Sequence, residues 1–331
     1  MKFTQYSGIV LGALYGLIFR MLCNWETLSD KYDRPYSLYS ITFIWILPIV
    51  VSIVPFLFAP KQLLNSKKKQ IAFPMFSVLL FFLIALSSGL EDWLCLLILA
   101  FPFLISAGIT GLTMGYFIKK SKSKKLFSLL FLPFLLNPFE ARLPNQAKTY
   151  QVATEICIDA SPQEVWKHLI EVPEIRKEEY KKGFYQYIGV PRPIKSELHH
   201  IEGQLYRIGY FTGGLKLYET ISKSDSLNYV SFQIHIDKSE LRDLPTDKHL
   251  LKSNYFAFEE ISYHLTDMET GQVKLALHCR YSLESKMNGY ANFWAESIIQ
   301  DFEKRLLEAL KIKIESPPLT EKKLTLSGKP Y

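Results

Sequence analysis

Cysteine is scarce in this chain: Cys23, Cys95, Cys157 and Cys279 are the four among 331 residues, and none stands in CxxC or Cys/His spacing. Metal-ligand motifs are therefore missing, and neither a metal nor a cofactor is expected. The histidines form no HxxxH pair and no Ser-His-Asp order, and no paired-carboxylate motif emerges. His199 and His200 are adjacent on a predicted strand, so they point to opposite faces and cannot grip one ion together. His235, His249, His264 and His278 are scattered. Ionisable residues are almost missing from the apolar runs before residue 140, which removes the usual chemistry of a transport path. No internal repeat is visible.

Negative charge is also short in the first part. Residues 1–140 hold 13 Lys+Arg against 6 Asp+Glu, whereas residues 141–331 hold 26 of each, so the whole net charge of +7 belongs to the first part. Nine of those thirteen cations fall in two clusters, Lys61 with Lys67, Lys68 and Lys69, and Lys119, Lys120, Lys122, Lys124 and Lys125. Both clusters sit between apolar runs and neither alternates with aromatics, which reads as membrane topology and not as a nucleic-acid footprint.

Five apolar segments are present, at 6–23, 38–59, 71–90, 93–118 and 126–139. About 20 apolar residues cross a hydrocarbon layer, so the second, third and fourth qualify directly. Arg20, near the end of the first, can snorkel to the headgroups. The fifth holds Pro133 and Pro138 and fits a re-entrant or interfacial segment as well as a crossing; crossing is the reading adopted. The first has no basic flank beyond Lys2 and no small-x-small cleavage site, so it is read as retained. Pro48, Pro55, Pro74 and Pro102 are tolerable in membrane helices, and Gly108, Gly111 and Gly115 suit close helix packing. The lysine-rich loops at 60–70 and 119–125 are predicted to be cytoplasmic, with little positive charge at 24–37 and none at Glu91 and Asp92. That places the N-terminus inside and, with the fifth segment crossing, the chain after residue 140 outside, in what would be a bacterial inner membrane.

From Ala147 the pattern changes to short alternating segments. In EICIDASPQEVWKHL, residues 155–169, a strand feeds a helix opened by Ser161, Pro162 and Glu164, an N-cap, a proline and a third-position acid. A second short helix is predicted after Pro173, ending near Lys181 and Lys182. Strands follow at 195–202, 204–211, 215–223, 227–236, 255–267 and 273–284, with turns at Gly213-Gly214, Asp225-Ser226 and Thr270-Gly271. A long amphipathic helix covers 288–315: Trp294, Ile298, Phe302, Leu306, Leu310 and Ile314 form its apolar line, with Glu303, Lys304, Glu308 and Lys311 facing away. Residues 316–331 read as a polar disordered tail.

IDASPQEVWKHL resembles the opening of the START-like superfamily, also called SRPBCC, which includes polyketide cyclases and lipid-transfer domains. GQLYRIGYFTGGLKLYETI (203–221) resembles its glycine-turn hairpin, and SLESKMNGYANFWAESIIQDFEKRLLEALK (282–311) its last strand and gripping helix. GVPRPI after a multi-span segment is similar to bacterial membrane-tethered members. The predicted fold is thus an all-α transmembrane region over 1–140 and an α+β helix-grip domain over 148–315, about seven antiparallel strands curved round one long helix. The resemblance implies binding of a lipid or other hydrophobic small molecule in an internal cavity. A cyclase or dehydratase on the same fold, or an interaction module without a ligand, are the alternatives.

A three-residue turn at Thr212, Gly213 and Gly214 would place Arg207 opposite Glu219, on one face with Leu205, Phe211, Leu215, Leu217 and Ile221. Such a pair orients a ligand or ties the fold together. Arg192, between prolines, reaches a ligand at the cavity mouth or serves a stiff connection. Tyr290 and Trp294 line the cavity or pack the core. Cys157 and Cys279 lie on strands that can neighbour, so a disulfide is open in an oxidising compartment.

Overall fold

The computed structural model describes residues 6–23, 38–59, 66–120, 125–268 and 271–316. Lys61, Lys122, Lys124, the loop at 24–37, Thr270 and residues 317–331 of the predicted tail lie outside them. The chain divides into two compact units: residues 1–147 with 284–289, and 148–283 with 290–331.

All five apolar segments of the first unit are helical: α1 (Ser7–Cys23), α2 (Leu47–Phe58, preceded by a π turn at Thr42–Ile46), α3 (Lys67–Ser87), α4 (Trp93–Lys120) and α5 (Leu132–Ala141, preceded by a 3-10 stretch at Lys125–Phe131). The expected count of about five spans is not met by length. Two helices, Lys67–Ser87 and Trp93–Phe117, are long and apolar enough to cross a membrane; Ser7–Cys23, Thr42–Phe58 and Ser128–Ala141 are shorter. The second segment shortens because polar groups start it late. The Ser40 hydroxyl accepts from Phe43 N at 2.9 Å, and Glu140 accepts from Ile41 N and Thr42 N at 2.7 and 2.9 Å.

This unit packs Phe19, Phe43, Phe81 and Phe103 into a buried core and also leaves large apolar side chains outside. Leu83, Ile109, Phe131 and Leu135 are each at least 60% exposed, whereas Arg20, Glu91 and Asn137 are buried. Arg20 Nε donates to Glu91 Oε1 at 2.5 Å, and Asn137 Nδ2 to Ser40 Oγ at 2.7 Å. Of the predicted glycines, Gly111 and Gly115 lie against Gln70, and a Cβ on Gly111 would meet the Gln70 carbonyl at 2.5 Å. Gly108 faces open space. Pro55, Pro74 and Pro102 all lie inside helices.

The second unit is built on one sheet: β1 (Gln146–Ile158), β2 (Pro193–Ile201), β3 (Gln204–Phe211), β4 (Lys216–Asp225), β5 (Tyr229–Glu240), β6 (Phe256–Met268) and β7 (Gln272–Ser285), in the order β1-β7-β6-β5-β4-β3-β2. The pairs from β2 to β7 are antiparallel. Register shifts between Lys216 and Tyr218, Ile221 and Lys223, and Phe258 and Glu260 are bulges of the kind that bend a sheet. Helix α6 (Pro162–Ile170) has the anticipated capping box: Glu164 N donates to Ser161 Oγ and Ser161 N to Glu164 Oε2. Its Val165 and Leu169 are fully buried, each contributing on the order of 1.5–3 kcal/mol.

The predicted helix after Pro173 does not form. Val172 exchanges backbone hydrogen bonds with Ser196, and Ile175 N donates to Ile194 O at 2.7 Å, so the segment runs extended along β2. Helical structure resumes only in one turn, α7 (Phe184–Tyr187). The last helix, α8 (Asn288–Glu315), has the predicted bounds. Leu307 and Leu310 enter one core cluster with Ile158, Leu169, Phe232 and Leu275; Ala295 and Ile299 enter another with Val152, Cys279 and Tyr281. A curved seven-stranded sheet closed by a long C-terminal helix is the helix-grip arrangement.

Candidate functional site

The β3–β4 hairpin turns through Thr212–Gly214, where Gly213 and Gly214 have φ of 79° and 83°, a left-handed conformation that costs other residues dearly. Phe211 N donates to Leu215 O at 2.9 Å, and the register follows: Arg207 stands opposite Glu219. Both are buried, and Arg207 Nη1 donates to Glu219 Oε2. Arg207 Nε also donates to Ile170 O at 3.0 Å, the last residue of α6, and the guanidinium lies 4.7 Å from the Phe232 ring centre. Leu215 and Leu217 share this buried surface, but Leu205 and Ile221 are exposed, contrary to expectation. They lie beyond the pair, at the end of the hairpin opposite its turn.

The principal correction concerns α8. Glu303, assigned from the sequence to the solvent face, is 2% exposed. A strict four-residue spacing advances about 40° per step beyond a full turn of a 3.6-residue helix, so the line from Trp294 to Ile314 winds round the helix by more than half a turn. The inward face instead runs through Ala295, Ile299, Glu303, Leu307 and Leu310. Glu303 Oε2 accepts from Thr154 Oγ1 at 2.8 Å, while Oε1 is buried without a partner. Burial pushes its carboxyl up to about 7, opposed by the Thr154 hydrogen bond. The signal was available: Glu303 falls one turn after Ile299 and one turn before Leu307.

The apolar core is three clusters, one around Phe232 and Leu307, one around Val152 and Tyr281, and one around Leu215 and Ile234. The Tyr263 phenol, buried in the first, is pushed up to about 12 by desolvation; Arg207 opposes the shift, and Glu219 and Glu303 add to it. Tyr263 is thus within the electrostatic reach of both the ion pair and the α8 carboxylate. The arrangement offers apolar walls, a fixed ion pair and one carboxylate oxygen with accepting capacity to spare.

The other predicted residues separate. Arg192 is buried with Nη1 on Ile175 O at 2.8 Å and its guanidinium 5.8 Å from the Tyr180 ring, which fastens the 173–180 segment, extended at first and then turned at 177–179, to the start of β2. Tyr290 and Trp294 meet edge-on at 6.5 Å. The Trp294 indole nitrogen is buried without hydrogen-bond geometry, although Tyr290 lies close enough to be influenced by it. Cys157 is exposed, Cys279 is buried and both are free; they point to opposite faces of the sheet, so no disulfide joins them.

Two of the scattered histidines do meet, on the outer face. His264 and His278 rings are 4.5 Å apart, Tyr229 crosses His264 at 4.7 Å, and Gln151 Nε2 contacts His278 Nδ1 at 2.8 Å. With Glu260, Ser262 and Arg280 they line a shallow concavity of about 250 Å³. Desolvation, and then the neighbouring His264, lower the pKa of His278. His199 contacts Tyr210 and His235 contacts Thr220, and none of these four histidines joins Arg207 and Glu219.

No family model and no curated protein matches this chain. Among solved structures, an uncharacterized protein from Rhizobium leguminosarum is similar at 15% identity over 52% of this chain and 99% of its own, with a TM-score of 0.33. Truncated norcoclaurine synthase from Thalictrum flavum is similar at 12% over 54% and 99%, TM-score 0.32. The Zhui aromatase/cyclase from Streptomyces sp. R1128 is similar at 11% over 51% and 94%, TM-score 0.33. Likenesses this distant carry no weight about activity, and the helix-grip assignment rests on the strand order and on α8.

Proposed function

We propose that the second unit binds a lipid or another hydrophobic small molecule between its curved sheet and α8, and that the first unit anchors it in a bilayer. The observation that carries the binding half is Glu303: a buried carboxylate oxygen without a partner, flanked on α8 by Ile299 and Leu307 of two apolar clusters. Native interiors seldom leave such a group unused, and a few placed polar groups in apolar walls are the usual make-up of a small-molecule site. Solvent extraction of the purified full-length protein, followed by mass spectrometry, tests it. One apolar compound enriched reproducibly over matched empty micelles is expected; the micelle lipids alone would overturn the reading.

The anchoring half is supported by the apolar exterior of the first unit, since exposed apolar surface on that scale marks a non-aqueous environment. The fifth segment is one of the three helices shorter than a standard span, and the reading that it crosses leans on its 3-10 start and its neighbours. Seven 3-10 residues followed by ten α-helical ones span about 29 Å, close to the hydrocarbon thickness. The 3-10 part touches α2, and α5 touches the π turn before it, an antiparallel arrangement with the second segment. With the lysine-rich loops cytoplasmic, the second unit lies on the far side. A phosphatase fused near residue 145 is expected to be active; an inactive fusion beside a bright fluorescent-protein fusion would reverse the orientation.

Catalysis that needs a histidine beside Arg207 and Glu219 gains little support: His199, His235, His264 and His278 lie on the outer face of the sheet, and His200, on the face of Arg207, is exposed beyond the pair beside Leu205.

A further inference from the structure

The interior of the second unit has hydrogen-bond accepting capacity that its own donors do not fill. Glu303 is almost wholly buried, with Oε2 on the Thr154 hydroxyl and Oε1 unpartnered. On the inner face of the sheet Arg207 is already engaged: it serves Glu219 through Nη1 and the Ile170 carbonyl through Nε. Along α8 the carboxylate is flanked by Ile299 and Leu307, and across from it stand Val152 and Cys279, all apolar in character.

We propose that Glu303 Oε1 accepts a hydrogen bond from the hydroxyl of an otherwise apolar ligand, so that the site takes a long-chain or polycyclic alcohol in preference to the matching carboxylic acid. The inference rests on the binding function proposed above and specifies its ligand class. A hydroxyl supplies the one donor that the free oxygen lacks. An anionic headgroup would add a negative charge to an interior that already holds Glu219 and Glu303, with no unengaged cation to receive it. An ammonium head would have to shed its hydration on entering, a cost that an uncharged hydroxyl does not incur. A site built to bond a hydroxyl rejects analogues without one by a large factor.

The test uses the full-length protein in nanodiscs with three tritiated probes: 1-hexadecanol, hexadecanoic acid and hexadecane. The wild type is expected to bind hexadecanol at least tenfold more tightly than the acid. Glu303→Gln keeps an oxygen acceptor and retains that preference; Glu303→Met removes it and loses the preference while still taking up hexadecane. Equal hexadecanol affinity in wild type and Glu303→Met, or a wild type that prefers the acid, overturns the inference and leaves the binding function standing. Binding of none of the three probes overturns both. Should Glu303→Met not fold, infrared difference spectra of the wild type still decide: the Glu303 carboxyl band shifts when hexadecanol is added, and a band that does not move refutes the contact.

Discussion

Both units bury an apolar core, Phe19, Phe81 and Phe103 in the first and Phe232, Leu275 and Tyr281 in the second, but they differ in how much apolar surface they leave outside. In the helical unit Leu83 and Leu135 are 62% and 70% exposed, while Arg20 and Glu91 are buried and joined. In the sheet unit Phe232, Leu275 and Tyr281 are buried, and charges such as Lys216 and Glu240 pair at the exposed ends of β4 and β5. Each nevertheless buries one Arg–Glu pair, Arg20 with Glu91 and Arg207 with Glu219. The contrast teaches that the outside solvent sets where apolar side chains go, whereas a buried ion pair needs only its partner.

The largest effect should come from breaking either pair. Arg20→Met and Arg207→Met each take the cation away from a buried carboxylate, and each is expected to lower stability by about 3–5 kcal/mol, as for other buried pairs cut on one side. Denaturation of the full chain in detergent measures this; a loss below about 1 kcal/mol at one site would mean that water reaches it, and the two units would no longer be alike in this respect. Next comes the exterior. Leu83→Asp is expected to cost about 3 kcal/mol if that surface faces lipid, whereas Phe293→Asp, at a position 63% exposed in the sheet unit, should stay within about 0.5 kcal/mol. Membrane insertion and unfolding assays on the pair would collapse the contrast if both proved neutral.

The smallest effect is a pH dependence confined to the sheet unit. Burial raises the Glu303 carboxyl to about 7 from an ordinary 4.5, so between those values the folded chain holds more protons than the unfolded one. Stability is then fully present below pH 4.5 and falls as the pH rises through 7, by about 3 kcal/mol in all. Glu303→Met should flatten that slope; an unchanged slope would assign it to another group.

Much of this was legible locally. Ser161 and Glu164 announced a helix start because a capping box is written in adjacent residues, and Gly213-Gly214 set the Arg207–Glu219 register because a hairpin turn counts outward in twos. What failed depended on rotation or distance. Glu303 was misplaced because spacing by four drifts round the helix. His264 and His278 were read as scattered because their meeting requires the β6–β7 register, in which Ser262 faces His278. The segment after Pro173 was read as helix because its partner, Ser196 on β2, lies 24 residues away. The five spans were counted from apolar length alone, before Ser40 and Glu140 shortened the second.

The strand order has a consequence for synthesis. β1 pairs with β7 and with no other strand, yet Gln272 follows Ile158 by 114 positions. At a ribosomal rate of about 5–20 residues per second, β1 waits about 6–23 s for its partner to emerge, its Val152, Ile156 and Ile158 without the neighbours that will cover them. A nascent chain of this design needs a holder for its first strand, or a stretch of translation fast enough to shorten the wait.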